Sequence, residues 1–302
     1  VLILSRAEVE SLLEPDALLA AVSGGLQAVS VDAFSSAPRQ SVAAYGGPFL
    51  TMAGRQVDKP VVVKLVGVFP GNVALGLDPH PATIAMIDPG TGRCLAVMDG
   101  EHITALRTAA ASALSTRALA REDASVLAVV GSGVQARAHL RMLPLVRAFT
   151  SVRLVARDPG AAARLGVERG SIAGADVICL TTSSPTPVVR AAEVLPGTHV
   201  TSVGYAPPGG ELDPALARAA RLFVESRVAF APPPAGCAEL VGLDASAGTD
   251  LGAVLSGRAP GRTSDSEITV YKAMGHIAED AAAAELVYRT ALETGTGTRV
   301  DL

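Results

Sequence analysis

The chain has no tryptophan, and only four tyrosines and six phenylalanines among 302 residues. Aromatic stacking platforms of the kind that hold sugar rings are therefore not expected. Basic excess is also missing: 25 Lys and Arg stand against 29 Asp and Glu, for a net charge of −4. That balance gives no electrostatic footprint for nucleic acid or an anionic membrane. No apolar run approaches the ~20 residues a membrane-spanning helix needs. The opening VLILSRAEVESLL is too short and too soon charged for a signal peptide, so a cytoplasmic protein is expected. The three cysteines, Cys94, Cys179 and Cys237, are widely separated and not in metal or disulfide-framework spacing. They read as reduced thiols filling core space. No histidine and carboxylate cluster suggests a metal.

What is abundant is small and apolar: 49% of residues are hydrophobic and 18% charged, the profile of an Ala/Val/Leu-rich α/β protein of one or two domains. The most informative stretch is 125–136, SVLAVVGSGVQA. A β-branched run leads into Gly131-x-Gly133-x-x-Ala136, and a helical pattern follows. This is the order of a dinucleotide-binding β-turn-α unit. Gly131 permits the tight turn, Gly133 lets backbone N–H groups approach a pyrophosphate, and Ala136 keeps helix and strand close. Gly131, Gly133, Val134 and Gln135 form the candidate phosphate loop, at the positive end of a helix dipole.

Around this unit the chain divides into two parts. Ser5-Arg-Ala-Glu8 is a capping box before a first helix, and Asp16 opens a second helix to about Val31. Strands are expected from 38 to 69, VVVKLVGVF (61–69) being the clearest, and TIAMID with RCLAVMD reads as a hairpin. From Glu101 an alanine-rich helical pattern runs to about Arg121. Strands then follow at 125–130, 151–157, 176–182, 199–204 and 221–226, and 267–293 reads as one long closing helix. The interval from Arg157 to Ala175 is too short for a full helix and third strand. Either that strand is vestigial or a segment is missing near Val167–Gly170.

The motifs ALRTAAASALSTRALA, VVVKLVGVFPGN, DPGTGRCLAVMDGEHITALRT, GELDPALA and GRAPGRTSDSEITVYKAMGHIAED occur in an order that resembles the ornithine cyclodeaminase/mu-crystallin family. That family also contains ketimine reductases, alanine dehydrogenases and opine-type dehydrogenases. The resemblance implies an α/β fold: a Rossmann dinucleotide-binding domain at 116–284, plus an N-terminal mixed α+β substrate and dimerisation domain at 1–115 joined by the helix at about 285–302. It also implies a homodimer with the active site in a cleft, acting on a small amino or imino acid.

Lys64 lies inside an apolar strand, where a charged amine costs several kcal/mol unless it meets an anion or loses its proton. Alternation alone also permits it on the solvent face of an edge strand. The resemblance places a substrate-contacting lysine here. Arg107 is the one large polar group in an alanine-rich stretch, and its planar fork suits bidentate capture of an α-carboxylate. Arg39 matches a family arginine that clamps the same group, and Asn72 and Thr104 are further pocket candidates. Thr181, Thr182 and Ser183 end a strand where relatives contact the cofactor. At the end of the second strand stand Ala156 and Arg157. A guanidinium there favours a 2′-phosphate, so NADP(H) is preferred, with NAD(H) possible through Asp158. Tyr205 occupies the position where the cyclodeaminase carries its catalytic aspartate. A phenol with pKa near ~10 is a poor base near neutrality, which counts against ornithine cyclisation but not against hydride transfer. His80 and His102 are loop histidines without a visible partner, His139 and His199 read as structural, and His276 is a weak candidate. The readings left open are an imine–amine oxidoreductase, a true ornithine cyclodeaminase, and a catalytically silent dinucleotide-binding protein.

Overall fold

The computed structural model describes residues 1–301. The chain forms two compact units, one made of Val1–Arg107 with the stretch from Ile277 onward, the other of Thr108–His276.

The first unit is built on a mixed sheet. Its strands are β1 (Leu2–Leu4), β2 (Phe34–Ser36), β3 (Gln40–Ala44), β4 (Gly47–Gln56), β5 (Val61–Gly67), β6 (Ala82–Ile87) and β7 (Cys94–Asp99). The late strand Thr298–Arg299 pairs with β1, which runs parallel to β7; the other pairings in this sheet are antiparallel. The capping box forms as its residues require: Ser5 N donates to Glu8 Oε2 at 2.7 Å, and the Ser5 hydroxyl accepts from Glu8 N. It opens α1 (Arg6–Leu12), followed by α2 (Pro15–Val29). Met52, Lys64 and Ile84 are aligned across β4, β5 and β6. With Val62, Val66 and Met86 they lie on one buried face. The final helix (Ile277–Thr294) packs against α2, β4 and β5.

Helix α3 (Glu101–Leu119) carries the chain into the second unit. That unit's sheet contains β8 (Val126–Val130), β9 (Ser151–Val155), β10 (Glu168–Arg169), β11 (Val177–Leu180), β12 (His199–Ser202), β13 (Arg221–Val224), β14 (Gly248–Asp250) and β15 (Thr269–Lys272). All pairings are parallel, in the order β10-β9-β8-β11-β12-β15-β13-β14. The first five strands have the order of a dinucleotide-binding fold, in which the order of strand addition switches from one side of β8 to the other. Its helices are α4 (Val134–Met142), α5 (Ala161–Arg164), α6 (Pro214–Ala219) and α7 (Leu251–Leu255); the final helix of the first unit is α8. Near-continuous apolar runs such as VLAVV and VICL are fully or nearly buried, as strands covered on both faces must be.

Two expectations change. The third strand is present but short: β10 is two residues long, preceded by the four-residue α5, and closes the sheet edge beside β9. The closing helix is shorter than its pattern suggested. Thr269–Lys272 is a fully buried strand between β12 and β13, and helix begins only at Ile277. Val270 and Tyr271 favour strand, and Gly275 at φ 85° interrupts any helix before α8.

Candidate active site

In the first unit, Lys64 projects from β5 to the helix-covered side of the sheet. It is 1% exposed, and its strand is flanked by β4 and β6, which rules out a solvent-facing edge lysine. The anion it needs comes from α8: Lys64 Nζ donates to Asp280 Oδ1 at 2.6 Å. Arg107, on α3 and 4% exposed, donates from Nε to the same oxygen at 3.1 Å and from a terminal nitrogen to Glu279 Oε2 at 2.7 Å. Two cations and two carboxylates thus form a neutral buried cluster. Burial pushes Lys64 down to about 8 against the pull of Asp280, with the Arg107 charge adding to the decrease. Burial alone would raise Asp280, but Arg107 and Lys64 outweigh it and hold the carboxyl below its usual range. The second Asp280 oxygen is buried and has no hydrogen-bond partner.

Arg39 sits just before β3, close enough for its charge to lower Lys64 further. The Lys64 charge also reaches His80. Asn72 is occupied locally, donating from its side-chain amide to Asp78 O at 2.8 Å. The Thr104 hydroxyl, in the first turn of α3, bonds back to Gly100 O just before the helix. The sequence named Lys64, Arg107 and Arg39; it missed Glu279 and Asp280. Their signal was present: a lysine in an apolar strand demands a carboxylate, and GHIAED supplies the acidic pair.

In the second unit, Gly131 has φ 120°, and a Cβ there would lie 2.7 Å from Thr181 Oγ1 and 2.8 Å from Thr181 O. Only glycine fits this turn. Gly133 begins α4 with no side-chain cap, and a Cβ there would meet nothing within 4 Å. The first-turn amides of α4 therefore border open space, the arrangement a pyrophosphate requires. Val134 is exposed, and the Gln135 side-chain oxygen is buried without a hydrogen-bond partner. Thr181 bonds through its hydroxyl to Val130 O at 2.8 Å. Thr182 gives both its amide and its hydroxyl to Glu211. Tyr205 follows β12 and is half-buried.

His139 and His199 are fully buried. His139 Nδ1 faces Gln135 O at 2.8 Å and so carries the proton, leaving Nε2 to accept from the Ser112 hydroxyl at 2.9 Å. His199 bridges Ser115 and Thr269. Burial lowers His139 to about 4, and burial followed by the Arg262 charge lowers His199 to about 3. Both stay neutral in the fold. Among the described residues no group of three or more His, Cys, Asp or Glu could hold a metal ion. No helix among them is long and apolar enough to cross a membrane.

A parallel sheet of this order, with a glycine turn at its switch point, is a Rossmann-type NAD(P)-binding unit, and the relatives make the chain an oxidoreductase. The family model for ornithine cyclodeaminase/mu-crystallin matches residues 1–295, and the chain belongs to that family. Mouse ketimine reductase mu-crystallin is 36% identical over 240 residues, covering 76% of this chain and 75% of the mouse protein. Thermococcus litoralis Delta(1)-pyrroline-2-carboxylate reductase, solved with NADH and L-proline, has a TM-score of 0.91 at 29% identity, covering 99% of this chain and all of that one. An archaeal alanine dehydrogenase dimer with bound NAD has a TM-score of 0.89 at 30% identity, covering 100% of this chain and 99% of its own.

These complexes overturn the preference for NADP(H), because the solved relatives hold NADH and NAD. The physical reason lies just past β9. Arg157 is exposed there, and the adjacent Asp158 keeps a carboxylate at the same bend. Arg164 and the Gly160 amide bond to Asp158 and hold it below the ordinary carboxylate range. A carboxylate at this bend is the group that a ribose 2′-hydroxyl, rather than a 2′-phosphate, calls for.

Proposed function

We propose that the protein interconverts a small 2-imino acid and the corresponding amino acid with NAD(H), in the manner of a ketimine reductase or amino-acid dehydrogenase. At family level it is an NAD(P)-dependent oxidoreductase of small amino or imino acids. One observation carries the finer reading. Lys64 Nζ and Arg107 Nε converge on a single carboxylate oxygen of Asp280, a geometry already suited to a carboxylate.

In this reading Arg107, with Lys64 and Arg39, holds the substrate carboxylate and fixes the carbon that bears nitrogen. A nicotinamide held by the second unit would supply the hydride for reduction or take it up in the reverse direction. Gly131, Gly133, Val134 and Gln135 would hold the pyrophosphate, with Thr181 and Thr182 at the neighbouring strand end, and Asp158 would serve the ribose hydroxyls. Reduction of C=N to CH–NH consumes one hydride and one proton. Lys64, held near 8 beside Asp280, delivers that proton to the substrate nitrogen and recovers it in the reverse direction. Positioning supplies much of the remaining rate. The first unit binds substrate, and the chain assembles as a dimer, as the archaeal alanine dehydrogenase does.

Tyr205 argues against ornithine cyclisation, because a phenol does not serve as the base that an aspartate provides. The test is NADH oxidation, followed by absorbance, with Delta(1)-pyrroline-2-carboxylate and with pyruvate plus ammonia, beside proline and ammonia release from L-ornithine with NAD. NADH should be consumed with at least one imine source, and ornithine should give no proline. Proline release at a comparable rate would replace the reading by cyclodeamination. Bound NADH with no turnover on either imine source would make the protein a silent dinucleotide binder.

A further inference from the structure

The carboxyl ends of β11 and β12 are tied together by a buried carboxylate from outside the sheet, and a lysine at the end of β15 joins them. Glu211 is fully buried just before α6. Its Oε2 accepts from Thr182 N at 2.6 Å and from the Thr182 hydroxyl at 2.7 Å. Its Oε1 accepts from Gly204 N at 2.6 Å, Val203 N at 3.1 Å and the Ser202 hydroxyl at 3.1 Å. Lys272, at the end of β15, donates to the Ser202 hydroxyl at 3.2 Å and to Gly204 O at 2.7 Å, and its Nζ lies 2.9 Å from Glu239 Oε1. Burial alone would lower Lys272, but the surrounding Cys237, Glu239 and Glu211 hold it raised.

This chemistry is stringent. Both Glu211 oxygens face backbone N–H groups, so a carboxamide, which has only one acceptor atom, must turn its own N–H against one set of donors. Gly204 follows from the same contact: a Cβ there would lie 2.7 Å from the Glu211 carboxyl carbon and 2.4 Å from Thr182 O. A buried ionic hub is a poor stabilising device, because apolar residues of similar volume often serve a core as well or better. Its location suggests another purpose. Ligands of parallel sheets bind outside the carboxyl ends of the strands. The hub fixes the backbone there at Thr182 and at Val203–Gly204, immediately before Tyr205.

We propose that Glu211 is a positioning residue for the cofactor, holding Thr182 and the Val203–Tyr205 turn in the arrangement that receives the dinucleotide. This rests on the NAD(H) reading above. The experiment is equilibrium NADH binding, read by nucleotide fluorescence, to the wild-type chain and to Glu211→Gln. A control, Leu222→Ala, thins the buried core of the same sheet without touching the hub. At a temperature where circular dichroism shows each protein folded, Glu211→Gln should weaken NADH binding by about tenfold or more. Leu222→Ala should stay within about twofold despite a lowered melting temperature. Amide exchange should quicken at Thr182, Val203 and Gly204 in Glu211→Gln while β8 stays protected.

NADH affinity within about twofold of wild type in Glu211→Gln overturns the role, as does an equal loss in Leu222→Ala. If Glu211→Gln does not fold, Ser202→Ala decides. It removes the hydroxyl between Lys272 and Glu211, and it should weaken NADH roughly threefold or more; no change overturns the proposal. A wild-type chain that binds no NADH overturns the cofactor reading itself, and the role of Glu211 with it.

Discussion

The buried cluster in the first unit shows how one residue determines others. A lysine in the middle of VVVKLVGV is tolerable only because α8 brings Asp280 to within 2.6 Å. Arg107 shares that carboxylate and is itself balanced by Glu279. Lys64 was legible from sequence because a charge in an apolar strand is conspicuous. That it needs a carboxylate was legible too, but which one was not, since Asp280 lies 216 positions away and only the packing of α8 on the sheet singles it out. Replacing Lys64 by Met removes the proton donor and leaves Asp280 paired with Arg107. Turnover should fall by about a hundredfold or more, while NADH affinity changes by less than about twofold. Steady-state kinetics beside fluorescence titration check this, and unchanged turnover would end the catalytic assignment. The buried carboxylate left with one cation fewer should also cost about 3 kcal/mol or more of stability.

At the scale of elements, periodicity was a sound guide where one pattern ran from cap to cap. The strand–glycine–helix unit at β8 and α4 and the β6–β7 hairpin stand where the pattern put them. It misled at 267–276, because ITVYK is followed directly by an alanine-rich helix and the two were read as one. What makes Thr269–Lys272 a strand is the vacancy between β12 and β13, a tertiary fact that no local window contains. The histidines on α4 and β12 join these elements to α3 through Ser112 and Ser115, and their neutrality has a consequence for acid stability. In the unfolded chain both rings titrate near ~6.5, whereas in the fold they do so near 4 and 3. Below that unfolded value the unfolded state binds more protons, so stability is full above it and falls as pH drops toward 4 and 3. The loss should reach on the order of a few kcal/mol per ring. Urea midpoints measured by circular dichroism should decline from neutrality to acid pH, and less steeply in His139→Gln. A flat profile across that interval would mean that the rings are not held neutral.

For the whole molecule, the open question of assembly turns on the sheet of the first unit. One face is covered by α2 and α8 and buries Met52, Val62, Val66, Ile84 and Met86. On β4 and β5 the alternate positions point the other way, and there Phe49 and Leu65 are exposed, 39% and 46%. All five residues of β3 are exposed, Val42 and the following Tyr45 among them. An antiparallel sheet can leave one face to water, but that face is then expected to be polar. This one carries valine, leucine, tyrosine and phenylalanine together, the composition of a protein interface. A second copy, joined about a two-fold axis, covers such a face with an equivalent one. The chain, 30.5 kDa by sequence, should therefore sediment at twice that mass. Leu65→Asp places a charge at the centre of the face, opposite Thr51 and Thr83 on the neighbouring strands. It should shift the protein to monomer at micromolar concentration while leaving far-ultraviolet dichroism unchanged. Light scattering of the two proteins separates the outcomes: a wild-type monomer removes the dimer, and a dimeric Leu65→Asp moves the interface elsewhere on the chain.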